Sequence, residues 1–114
     1  SAQYLLEHLH EVPVHVIPCI TRPPGDTLAA MGPGLYGSIF PAVWSFQLAL
    51  RSRGLGSTLT TLHLGFEKEA AEILNIPDTM HQVALLPVGY TKGTDFKRAK
   101  RPPVSTITHW NTWS

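Results

Sequence analysis

One hundred and fourteen residues with a formal net charge of +1 fit one domain and exclude a global field that would recruit nucleic acid or an anionic membrane. Hydrophobic residues are 43% and charged residues 15%, against roughly 25% charged in ordinary soluble domains. That balance excludes disorder and leaves a surface poor enough in charge to lie partly against a partner.

The single cysteine, Cys19, excludes an internal disulfide framework and a thiolate zinc site, and is expected to act as a small apolar filler. No run approaches the roughly 18 apolar residues of a membrane span. The apolar stretch Val12 to Ile20 follows Glu7 and Glu11, not lysines, which argues against a signal peptide. A reducing, cytoplasmic setting is expected. The chain goes from Ser1 straight into a helical pattern, which suggests an upstream boundary that was cut or lies elsewhere.

Tyr4, Leu5, Leu6 and Leu9 have helical spacing, so Ala2 to His10 is predicted to be a short helix, broken by Pro13. Val14 to Cys19 reads as a compact strand. Thr21 to Gly34 carries Arg22-Pro23-Pro24-Gly25-Asp26 and Met31-Gly32-Pro33-Gly34, and reads as loop. Ser38 can cap the next helix, with Pro41 in its first turn and Gly54 ending it. Apolar residues occupy every face of that helix. A helix of this kind is expected to be buried, and so small a chain offers little interior to surround it.

Ser57 to Leu62 reads as a strand. Phe66, Ala70, Ile73 and Leu74 fall on one helical face, and Asn75 and Pro77 close that helix. Val83 to Val88 reads as the third strand. From Gly89 the chain is expected to be polar and extended, ending in His109-Trp110-Asn111-Thr112-Trp113. One domain over residues 1–114 is expected, without internal repeats.

Gly32-Pro33-Gly34-Leu35-Tyr36-Gly37 matches the dinucleotide-binding glycine pattern, but no strand leads into it and no carboxylate follows at the required distance. It reads instead as a flexible loop leading into a helix. His8 and His10 stand two apart on a helix and point away from each other, so they cannot share a metal ion. Lys92, Lys97, Arg98, Lys100 and Arg101 form a basic stretch with Asp95 the nearby acid. Mixed arginine and lysine on an extended segment suit a phosphate monoester, although a charge run by itself is more often a solvated loop.

The ordered segments Tyr36-Gly37-Ser38-Ile39-Phe40-Pro41-Ala42-Val43-Trp44, Leu50-Arg51-Ser52-Arg53-Gly54-Leu55-Gly56, Thr60-Thr61-Leu62-His63-Leu64 and Val83-Ala84-Leu85-Leu86-Pro87-Val88-Gly89-Tyr90, then Arg101-Pro102-Pro103 and His109-Trp110, resemble the C-terminal half of the FMN-dependent nitroreductase family. The resemblance implies an α+β fold, part of an α/β/α sandwich with a short central sheet, and a long buried helix at the core of an intertwined homodimer. It implies a cofactor, FMN, approached by Thr60, Thr61, Leu62 and His63 at the ring and by Lys100 and Arg101 at the phosphate, with Arg98 the next cation in line. NAD(P)H would be the reductant, and a nitro compound, quinone or similar small molecule the acceptor, by hydride transfer through flavin N5. No catalytic side chain is expected, because the flavin carries the chemistry. The family's arginine-rich phosphate motif has no counterpart here, so the isolated chain is expected to be weakly active or inactive. The rival reading is a truncated, flavin-free dimeric α+β protein.

Overall fold

The computed structural model describes residues 2–25 and 27–113. Ser1, Ser114 and Asp26, the last within the segment expected to be loop, lie outside them. The fold is α+β. Helix α1 (Ala2–His8) continues into a 3-10 turn, Leu9–Glu11, and Pro13 then leads into β1 (Val14–Val16). The apolar run expected to be one strand is two. Pro18 has no N–H to contribute to a ladder, and the chain changes sheets there, resuming as β2 (Cys19–Thr21).

The longest element, α2, covers Leu28–Ser52, ten residues earlier than the cap proposed at Ser38. Residues expected to be loop, the glycine pattern included, are helical, and Pro33 and Pro41 both lie inside the helix. Tertiary contacts override the local proline and glycine signals: the Tyr36 hydroxyl meets His81 Nε2 at 2.9 Å, and the C-terminal half of α2 packs against β3 (Leu55–Ser57). Thr27, just before the helix, gives its hydroxyl to the Pro24 carbonyl (2.8 Å) and does not cap. Gly54, at φ +76°, supplies the left-handed residue that turns the chain into β3.

The strand expected over Ser57 to Leu62 is shorter and earlier. After β3 a single bridge joins Thr60 to Leu85, and Leu62–Phe66 then winds into a 3-10 turn feeding α3 (Glu67–Leu74). Asn75 ends α3 in the left-handed conformation (φ 54°). The strand expected over Val83 to Val88 begins later, as β5 (Leu86–Tyr90), and Val83 to Leu85 instead follow a separate strand that was not expected, β4 (Met80–Gln82). β5 is the centre of an antiparallel sheet ordered β1-β5-β3, with Val14 opposite Val88 and Gly56 opposite Gly89. β2 pairs with β4 in a second, two-stranded sheet. Val83 and Ala84 join the two sheets; with Leu86, Val88 and Val43 they form the buried apolar core. Cys19 is half-buried, its thiol pointing at the Ile17 carbonyl.

Within one chain α2 is covered on one side only. Val43 is buried, while Trp44 is 63% exposed and Leu48 52%. The amphipathic face of α3 also looks outward, with Phe66, Ile73 and Leu74 all exposed. The segment after β5 is irregular apart from one 3-10 turn, Val104–Thr106. It helps raise the radius of gyration to 17.3 Å, where a compact chain of this size has about 13 Å. No helix among the described residues is long and apolar enough to cross a membrane.

A Cβ at Gly56 would run into the Thr91 Cγ2 methyl at the edge of β5. Gly56→Ala should therefore destabilise the chain by about 1–3 kcal/mol in urea unfolding. Adding Thr91→Ser should restore part of the loss, because it removes that methyl and keeps the hydroxyl that bonds the Gly93 carbonyl at 2.7 Å.

Candidate functional site

The turn between β3 and α3 is fixed at both ends. At its start Thr60 exchanges both backbone bonds with Leu85 (3.0 and 2.8 Å), and its hydroxyl also donates to the Leu85 carbonyl (2.8 Å). Thr60 therefore anchors the turn and has no donor left over. Thr61 and Leu62 are exposed, and the Thr61 carbonyl accepts from the Leu64 N–H (3.0 Å). The leading N–H groups of a 3-10 turn have no acceptor within it, which leaves backbone donors at Thr61 to His63. His63 is half-buried: its Nε2 meets Gln82 Oε1 at 3.1 Å, while its Nδ1 is buried without a partner.

At its far end the turn is held by Glu67. One carboxylate oxygen, Oε1, receives the Gln82 N–H (3.0 Å), His81 Nδ1 (2.9 Å) and an Arg22 Nη2 (3.1 Å). Burial pushes this carboxyl up, but the Gln82 N–H, the His81 ring and the Arg22 charge outweigh it and hold it below the ordinary value. Gln82 is 1% exposed and returns a second bond, from its amide nitrogen to the Glu67 carbonyl (2.9 Å). His81 passes the network on to Tyr36 of α2. These five residues connect α2, β4, α3 and the arginine after β2. Sequence reading did not single them out as a network, and Glu67 carries only the ordinary signal of an acidic residue in the first turn of a helix. His81 and Gln82, just before an apolar run, carry no pattern that marks them.

Lys100 and Arg101 lie on the exposed segment after β5 and make no side-chain hydrogen bond or ion pair among the described residues. No hydrogen bond or ion pair joins them to Thr60, Thr61, Leu62 or His63. Two grooves, of about 680 and 660 Å³, open elsewhere. The first lies between α1, the end of α2, β3 and β5, and is lined among others by Tyr4, His8, Gln47, Tyr90 and Phe96. The second lies under Arg22 and along α3. Neither contains any of the six residues singled out from sequence. Among the described residues no group of three or more His, Cys, Asp or Glu is placed to hold a metal ion.

The site is therefore a backbone-donor turn clamped to a sheet, with free cations on a separate segment. Backbone N–H groups suit a hydrogen-bonding ring edge and free cations suit a phosphate, so these donor types, on separate segments, are in kind those a flavin mononucleotide would need. An α+β chain with these antiparallel sheets and this long helix is a recognisable class of fold. The sequence model of the Nitroreductase family matches residues 5–90, and the chain belongs to that family. It is similar in structure to a protein of Parabacteroides distasonis ATCC 8503 whose name joins NADH dehydrogenase with NAD(P)H nitroreductase. The TM-score is 0.68 at 23% identity, over 94% of this chain and 60% of that one, a likeness of fold. The chain thus spans less than two thirds of that protein. Comparison with the curated proteins finds no match.

The depressed Glu67 carboxyl makes stability pH-dependent. A carboxylate whose folded value lies below its unfolded one stabilises the fold above the unfolded value, near pH 4.5, and loses that contribution as pH falls through the folded value. Glu67→Gln should cost about 1.5–3 kcal/mol at pH 7 by loss of charge-assisted hydrogen bonds. The gap between wild type and variant should narrow as pH falls from about 4.5, as read by urea unfolding at a series of pH values.

Proposed function

We propose that this chain is the part of an FMN-dependent NAD(P)H oxidoreductase of nitroreductase type that carries the ring-facing turn and one side of the phosphate site. The observation that carries the reading is membership of the family over residues 5–90, which include the clamped turn. When bound, FMN supplies hydride acceptance from NAD(P)H and hydride delivery to a nitro compound, quinone or similar acceptor. The protein's own work is positional. Thr60 fixes the height of the turn against Leu85, and the N–H groups of Thr61, Leu62 and His63 offer donors to the ring edge. Lys100 and Arg101 attract and hold the phosphate, the arginine through a planar fork and the lysine as a point charge. No side chain is assigned an acid–base role. Residues 1–114 form one partial domain of the whole enzyme.

The same proposal includes a homodimer. The outward face of α2, with Trp44 and Leu48, and the exposed Phe96, Ile107, Trp110 and Trp113 on the last segment are apolar surface that one chain leaves in water. Burying each large apolar side chain contributes roughly 1.5–3 kcal/mol, enough in sum to drive association of two copies.

Sedimentation at micromolar concentration should give a dimer or larger species, and a folded monomer would contradict the assembly. In a fluorescence titration with FMN, Arg101→Ala should weaken binding by roughly tenfold or more, the loss of a charged hydrogen bond of about 1.5–3 kcal/mol. A wild-type chain that takes up no FMN would favour the flavin-free reading. Unchanged affinity in Arg101→Ala would return the basic segment to a solvated loop.

A further inference from the structure

We infer that Gln82 is the positioning residue of the ring-facing turn, and that it does so by holding His63 in a single tautomer; this rests on the reading of the Thr61 to His63 turn as flavin-facing. The argument begins with the amide. Its nitrogen lies 2.9 Å from the Glu67 carbonyl oxygen, which can only accept, so the Gln82 side chain has one orientation. Its oxygen therefore faces His63 Nε2 at 3.1 Å, and that nitrogen must carry the proton. His63 is held as the Nε2–H tautomer, with a lone pair on the buried Nδ1.

His81 is held in the opposite form. Glu67 Oε1 receives the Gln82 N–H and Arg22, so the carboxylate is an acceptor and His81 Nδ1 is the donor at 2.9 Å. In the neutral ring, Nε2 then accepts from the Tyr36 hydroxyl at 2.9 Å. Gln82 thus makes three directional bonds, two in a reciprocal pair with Glu67 (backbone N–H to carboxylate, side-chain amide to backbone carbonyl) and one in which its side-chain oxygen accepts from the His63 ring. The first two fix the start of α3, and the third fixes the last residue of the donor row. Gln82 touches no ligand. It sets where the Thr61 to His63 donors stand, and through them the electronics of a flavin ring beside them.

Two measurements test this. In long-range proton–nitrogen correlation spectra of the wild-type chain, neutral His63 should show the Nε2–H pattern and His81 the Nδ1–H pattern. In the FMN-loaded chain, Gln82→Met should bind FMN about tenfold more weakly and should shift the visible absorption band and the midpoint potential of the bound flavin. His63→Phe, which removes the other partner, should shift both in the same sense, and adding it to Gln82→Met should add little. A wild-type His63 found as the Nδ1–H tautomer would overturn the inference even if Gln82→Met does not fold. Folded variants with wild-type flavin spectrum and potential would overturn it too. Failure of the wild-type chain to bind FMN is a different result: it removes the flavin reading and the positioning role with it, while the tautomer assignment is still decided by the spectra.

Discussion

A single carboxylate oxygen, Glu67 Oε1, organises the junction on which the candidate site depends. It gathers a backbone N–H, an imidazole and a guanidinium within 3.1 Å, from elements far apart in sequence. The carboxylate is only partly withdrawn from water, and Arg22 is nearly half exposed, so solvent screens that ion pair and makes it weak as a source of stability. Its value is directional. An ionised acceptor with three donors leaves the surrounding groups one consistent arrangement, and that arrangement sets the angle between the turn, α3 and the second sheet. Pairing with Gln82 in both directions adds the register of β4, next to the buried core of Val83, Ala84 and Leu86.

The rest of the fold follows from where apolar residues can be covered. β5 is central, with neighbours on both edges, and reads as a continuous apolar run because Leu86, Pro87 and Val88 are buried in succession, on both of its faces. α2 and α3 each bury little of their apolar surface within the chain, and the segment after β5 almost none. The proposed homodimer and partial domain are two ways of covering that surface.

What was legible in the sequence was composition, helix periodicity and the order of segments. α1, the C-terminal half of α2 and α3 with its Asn75 stop came from those signals, while the α+β class and the family came through the resemblance of the ordered segments. The strand boundaries were not legible: Pro18 divides an apolar run that looks continuous, and Val83 and Ala84 belong to a second run whose start links two sheets, for which the run carries no mark. The N-terminal half of α2 was hidden behind Pro33, Pro41 and three glycines, whose local preferences lose to a helix tied down by the long-range Tyr36–His81 contact. At the site, Thr60, Thr61, Leu62 and His63 were reached only through resemblance. The Glu67, Gln82, His81, Tyr36 and Arg22 network was not reached at all. It is made of contacts between residues as much as 45 positions apart, and no local pattern encodes them.

The central claim is that the turn held by this network faces a flavin. Backbone amide resonances of the uniformly labelled chain, followed as FMN is added, test it most directly. The account predicts that the Thr61, Leu62 and His63 amides shift the most along with those around Lys100 and Arg101, while Thr60 and Leu85, already bonded to each other, move little. Saturable shifts confined to the groove between α1 and β5, with the turn unmoved, would contradict it.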